Sequence, residues 1–341
     1  MKILTEAEFG RQLSAPASGY LFFGDEDYTK LHATRRLRDA VCPDPSLATF
    51  NNVYFSALDF SPSRLVDALE PPPLLSDRKI ITVAGLDLST FRPDEIDSLC
   101  EALSVISDYD YNVVCLSLPA GSIDEGRLPG APSGLLSRLG ELLTPVHFPR
   151  ITPSRLAGWV GKHFEHNGIV PDAALCSRVV DYCGTSMFTL SNEVDKLSFY
   201  ALSQGRNTVL PQDIEAVCIA DTEYDTFAFA NALTAGDRRR ALDILSVMKL
   251  RRIEPTIIMG EVSRVFCDML TVRTFMDEGL TPTDVAQATK IKEYPARRYF
   301  AALQKVPTDT LRHILDMCQA ADASVKSSRG YEAIERFICG L

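Results

Sequence analysis

Tyr20-Leu21-Phe22-Phe23-Gly24-Asp25-Glu26-Asp27-Tyr28-Thr29-Lys30 passes from four apolar residues through a glycine into three acids and the start of a helical pattern. The apolar run reads as a buried strand and the glycine as a tight turn. The acids favour the positive end of a helix dipole. A nucleotide-binding α/β domain places its phosphate loop at this position. A working loop needs GxxxxGK[ST]: the second glycine lets main-chain N–H groups approach the phosphates, and the lysine and hydroxyl hold phosphate and magnesium. Here no second glycine occurs, Lys30 is followed by Leu31, and Asp25, Glu26 and Asp27 would set negative charge beside the phosphates. The turn reads as an acidic helix cap.

Further along, short apolar runs alternate with helical patterns, the signature of a parallel sheet flanked by helices. Strands are expected at Tyr20–Phe23, Asn52–Phe55, Lys79–Val83, Asn112–Leu118 and Val146–Phe148. Tyr28, Leu31 and Leu37 recur at helical spacing, as do Ile96, Leu99, Leu103 and Ile106, and read as crossover helices. A Gly/Pro-rich loop spans Pro119–Gly134. From Thr152-Pro153-Ser154 onward only helical periodicity remains, with a hydroxyl and a proline marking the first helix start. Asn167-Gly168 and Cys183-Gly184 stop the next helices. The expected fold class is α/β followed by all-α. The expected divisions are residues 1–148, 149–221 (a three-helix domain) and 222–341 (a second helical domain).

The chain has 341 residues, 46% of them hydrophobic, enough for two or three cores. Net charge is −10, and residues 1–140 carry 12 Lys/Arg against 20 Asp/Glu, which argues against extensive phosphate contact in the first domain. No apolar run approaches the ~20 residues needed to span a bilayer and Met1–Arg11 has no secretory pattern, so a cytoplasmic address is expected. The nine cysteines include no CxxC, and Cys176 and Cys183 are the closest pair. They read as small buried hydrophobes rather than a zinc or disulfide framework, and no metal or cofactor is expected. His163 and His166 sit in a helix whose Trp159–Phe164 stretch reads as a core face, so packing is favoured over ligation.

Catalytic signatures are missing. Lys79–Asp87 offers one acid, Asp87, several residues late for a Walker B pair. No Ser-Arg-Cys arginine-finger triplet, GxSxG, HExxH or kinase set occurs. No intrinsic ATPase is expected, although a AAA+ NTPase with an atypical phosphate loop is one rival reading. A nucleic-acid-binding adaptor is another, with Arg238-Arg239-Arg240 and Arg251-Arg252 as candidate DNA or subunit contacts.

Several stretches together resemble the DNA polymerase III delta family: Tyr20–Glu26, Thr152–Val160 with Trp159, Leu190–Ala201 with Asp195-Lys196-Leu197, and Gln212-Asp213-Ile214-Glu215-Ala216-Val217. Phe227–Leu233, Gly236-Asp237, Ala241-Leu242, Glu254-Pro255 and Ala320–Lys326 extend the likeness across almost the whole chain. The resemblance implies a RecA-like AAA+ domain, a helical lid and a helical collar, the collars of the subunits assembling a ring-like clamp loader. It implies a non-catalytic subunit of a hetero-oligomer that binds and opens the sliding clamp (beta subunit) during loading onto primed DNA. The other partners would be the gamma/tau ATPase subunits and delta-prime. In this family two adjacent apolar side chains at a helix tip before the third strand grip the clamp. By position these are Leu74 and Leu75 in Pro72-Pro73-Leu74-Leu75-Ser76-Asp77-Arg78-Lys79. Leucine rather than phenylalanine stands second, and a triple proline precedes the pair.

Overall fold

The computed structural model describes residues 2–291 and 293–340. It divides into two compact units, Met1–Ile151 and Thr152–Leu341.

In chain order the first unit contains β1 (Leu4–Thr5), α1 (Glu6–Gln12), β2 (Gly19–Phe23), α2 (Asp27–Val41), α3 (Ala48–Asn51), β3 (Asn52–Ser56) and α4 (Pro62–Leu69). It continues with β4 (Lys79–Ala84), α5 (Pro93–Ser104), β5 (Asn112–Ser117), β6 (Gly126–Arg127), β7 (Ala131–Pro132), α6 (Gly134–Leu142) and β8 (Thr144–His147). Six strands form one sheet in the order β1-β8-β2-β5-β4-β3, and every pairing is parallel. Side chains alternate between its faces. Leu21, Phe23, Ile81, Val83, Val114 and Leu116 pack under Leu65 of α4, Leu99 and Leu103 of α5, and Leu136 and Leu139 of α6. Tyr20, Phe22, Ile80, Val113, Cys115 and Val146 pack under Phe9 of α1 and Ala33, Leu37 and Val41 of α2. Burial of both faces explains why the strands read as unbroken apolar runs. Phe22 meets Phe9 at 5.0 Å and Phe148 at 5.1 Å, both edge to face, and each buried aromatic of this kind contributes about 1.5–3 kcal/mol.

Three details differ from expectation. The two-residue edge strand β1 and the small β6/β7 hairpin inside the Pro119–Gly134 loop are too short for periodicity to reveal. The buried stripe of α2 is Lys30, Ala33, Leu37 and Val41, not Tyr28 and Leu31; Leu31 is exposed. Thr152 precedes a helix with proline at its start, but its hydroxyl makes no capping bond and instead lies 3.3 Å from the Ser154 hydroxyl.

The second unit is helical throughout: α7 (Pro153–His166), α8 (Ala173–Cys183), α9 (Met187–Ser203), α10 (Pro211–Val217), α11 (Thr222–Thr234), α12 (Arg238–Leu250), α13 (Pro255–Asp277), α14 (Pro282–Ala288), α15 (Glu293–Ala302), α16 (Thr308–Ser324) and α17 (Gly330–Gly340). Leu156, Val160 and Phe164 of α7 pack inward as their spacing predicts. His163 pairs with Asp195 at 2.8 Å and meets Trp159 edge-on. The long helix α13 buries Ile258, Met259, Val262, Val265, Phe266, Met269 and Val272, so α11, α15, α16 and α17 can all pack on it. A helix hydrophobic on that many sides is a core helix.

Candidate functional site

The turn after β2 is tied down by its own main-chain and side-chain hydrogen bonds. Gly24 has φ +114, and a Cβ there would lie 2.4 Å from the Phe148 carbonyl oxygen, so only glycine fits. The N–H of Glu26, one of those that would cradle an anion, donates instead to the Phe148 carbonyl at 3.1 Å. Lys30 turns inward. Its Nζ donates to the carbonyls of Gly24 (2.6 Å) and Leu118 (2.5 Å) and pairs with Asp27 Oδ1 at 2.8 Å. Asp27 Oδ1 also accepts from the Ala120 N–H at 3.1 Å. Lysine and aspartate thus tie the first strand-to-helix turn to the end of β5. Glu26, at the helix entrance, makes no capping bond through its side chain. Burial pushes its carboxyl above the ordinary range, and the Tyr28 main chain, Arg150 and the Ile151 main chain offset this only in part. Asp87 caps a single helical turn, accepting from the N–H and hydroxyl of Ser89.

The opposite situation holds between α4 and β4, where the backbone is held tightly and the side chains point out. The last carbonyls of α4, which lack helical partners, are met by side chains from the neighbouring strands. Lys79 Nζ donates to the carbonyls of Ala68 (2.6 Å) and Pro71, Asn112 Nδ2 to Leu69 (3.1 Å) and the Tyr111 hydroxyl to Glu70 (2.5 Å). Burial holds the Lys79 ammonium below its ordinary pKa. Beyond the prolines, the buried Asn51 side chain accepts from the Leu74 N–H at 2.7 Å and donates to the Leu74 carbonyl at 2.8 Å. On this fixed frame Leu74 is 44% and Leu75 84% exposed, and Leu75 has φ +50. A left-handed conformation costs a leucine about 1–2 kcal/mol. Burial of the Leu75 side chain within this chain does not offset that cost.

Both leucines stand in a loop beyond the end of α4 rather than on the helix itself. Phe50, next in the chain to Asn51, is 61% exposed as well. Sequence reasoning missed it because its surroundings, Ala48-Thr49-Phe50-Asn51-Asn52-Val53-Tyr54-Phe55, look like the run-in to a buried strand. No sequence signal marks it: the edge position of β3, where Tyr54 is exposed too, is visible only in the sheet order.

The two arginine groups are not brought together. Arg238, Arg239 and Arg240 are exposed in the first turn of α12, whose cap is Asp237 accepting from the Arg240 N–H at 3.0 Å. Arg251 and Arg252 follow its last turn, about 16–21 Å away at ~1.5 Å per residue. Arg251 is engaged structurally, donating to Asp225 Oδ2 at 2.5 Å and to the Ala220 carbonyl at 2.8 Å. Arg240 lines a cleft with Phe227, Asn231 and Arg298, and the Arg298 guanidinium lies 4.0 Å from the centre of the Phe227 ring.

Comparison with known proteins adds to this geometry. Residues 223–340 match the family model described as DNA polymerase III delta subunit, C-terminal domain. No curated protein sequence matches the chain. Among solved structures, the Bacillus subtilis DNA clamp loader delta protein is similar over 98% of both chains, with a TM-score of 0.61 at 16% identity. A Thermotoga maritima gamma-subunit-related protein of DNA polymerase III aligns over 92% of this chain and 97% of its own, at 12% identity and a TM-score of 0.38. Domain III of the Thermotoga maritima replication initiation protein DnaA aligns over 61% of this chain and 87% of its own, at 15% identity and a TM-score of 0.41.

Proposed function

We propose that the chain, whose residues 223–340 match the C-terminal domain of the DNA polymerase III delta subunit, grips and opens the sliding clamp within a clamp loader, with Leu74 and Leu75 as the gripping pair. The observation that carries this reading is an apolar pair displayed on a backbone that Asn51 and Lys79 hold in place. Two such side chains entering a hydrophobic pocket contribute about 1.5–3 kcal/mol each. A backbone already ordered before contact loses little entropy on binding.

The same reading makes the subunit a passive participant in nucleotide hydrolysis. Lys30 and the Glu26 N–H are consumed internally, so ATP chemistry falls to partner subunits of the gamma/tau type. Residues 222–341 serve as the collar that joins those subunits and delta-prime, residues 149–221 as the lid, and residues 1–148 as the clamp-contacting domain. Primed DNA is met as part of the complex. Arg238, Arg239 and Arg240 are the exposed cations available for DNA or a neighbouring subunit, while Arg251 serves the fold. The test is surface plasmon resonance with the cognate clamp immobilised: saturable binding supports the proposal, and no binding by the folded chain overturns it.

A further inference from the structure

Cys183, Glu193 and Cys218 come from three places in the helical unit: the last residue of α8, the second turn of α9 and the residue after α10. All three are buried. Their two Sγ atoms and a carboxylate oxygen lie within 4.8 Å of one another, and among the described residues this is the group of His, Cys, Asp and Glu able to hold a metal ion. Glu193 Oε2 receives the Lys196 ammonium at 2.6 Å and the Ile219 N–H at 3.3 Å, and the Cys218 side chain is hydrogen-bonded to Cys183 and to Glu193.

We propose that this cluster binds one thiophilic divalent cation of the zinc type through Cys183 Sγ, Cys218 Sγ and a carboxylate oxygen of Glu193, with water in the fourth position. Donor chemistry favours this class, because thiolates select soft or borderline cations over magnesium and calcium. Geometry agrees: donors around a tetrahedral zinc stand roughly 3.3–3.8 Å apart, a small contraction from the present limit. The charge also balances. With both thiols protonated, Glu193 and Lys196 sum to zero. Exchanging the two thiol protons, released to solvent, for one divalent cation leaves that sum unchanged, so a buried site avoids carrying net charge. Bound metal would join α8, α9 and the end of α10, stiffening the small bundle independently of the clamp-gripping loop.

The experiment uses the full chain, purified without chelator, with metal content measured by mass spectrometry and Co(II) then titrated into the metal-free protein. The expected results are near-stoichiometric zinc, sulfur-to-cobalt charge-transfer absorption with tetrahedral visible bands, and at least a tenfold loss of cobalt affinity in Cys183→Ser and in Cys218→Ser. Cys267→Ser and Cys339→Ser, which alter exposed cysteines, should leave the spectrum unchanged. Loss of the signal with these two would show adventitious surface binding and overturn the proposal. A Cys183–Cys218 disulfide, or no charge-transfer band in the folded wild-type chain, would overturn it as well. The wild-type spectrum decides the matter even if a cysteine variant fails to fold.

Discussion

Asn51 and Leu74 are paired like two strands of a ladder, the side-chain amide of one meeting both main-chain groups of the other at 2.7 and 2.8 Å. Asn51→Ala would leave that N–H and carbonyl without protein partners, a cost of about 1–3 kcal/mol. The predicted outcome is faster hydrogen exchange at the Leu74 amide and weaker clamp binding with Leu74 and Leu75 intact. Unchanged exchange would show that Asn51 does not hold the loop.

Lys30 stands where a phosphate-binding lysine would stand, yet it serves the fold. Lys30→Met should lower the melting temperature, as expected for about 1–3 kcal/mol after allowing for the solvent around Asp27. Isothermal titration of the wild-type chain with ATP should show no saturable heat. Micromolar ATP binding would contradict the closed turn.

Glu26 gives a pH-dependent signature. Its folded pKa is raised above 4.5, chiefly by burial. The native state therefore holds this proton more tightly than the unfolded chain, and the Glu26 contribution to stability falls as pH rises from the ordinary carboxylate pKa through the folded one. Glu26→Gln should gain melting temperature relative to wild type over that rise and lose the advantage at lower pH. A wild type that gains instead would show that the Tyr28 and Ile151 main-chain bonds and the Arg150 attraction together outweigh desolvation.

The collar assignment is tested with the isolated 222–341 fragment. Its core around Met259, Phe266 and Met269 is continuous, so the fragment should be helical by circular dichroism and co-elute with the other loader subunits. Phe266→Ala should cost it about 3–5 kcal/mol. A folded fragment that fails to associate would remove the collar role.

The sheet was legible in the sequence because strands buried on both faces, such as Leu21-Phe22-Phe23 and Ile80-Ile81, leave unbroken apolar runs. The start of the helical half was legible from Pro153 and the change of period. What could not be read depends on partners distant in the chain. Lys30 bonds to Leu118, Asn51 to Leu74, and Cys183 meets Cys218 rather than its sequence neighbour Cys176. Local pattern sets Lys30 at the position of a phosphate-loop lysine and leaves Asn51 just ahead of the strand expected from Asn52, with no role for either. Only the assembled sheet shows that one closes the turn and the other fixes the loop. Leu74 and Leu75 are singled out by family resemblance alone, and neither periodicity nor charge separates them from a core pair.

The central claim, that these two leucines grip the clamp, is tested most directly by the Leu74→Ser/Leu75→Ser double variant, with clamp affinity from surface plasmon resonance and melting temperature from calorimetry on one preparation. The account predicts a loss of about 2–5 kcal/mol in binding, roughly thirtyfold or more in affinity, with the melting temperature held, because exposed side chains leave no cavity when shortened. Unchanged affinity, or a loss accompanied by a large fall in melting temperature, would contradict it.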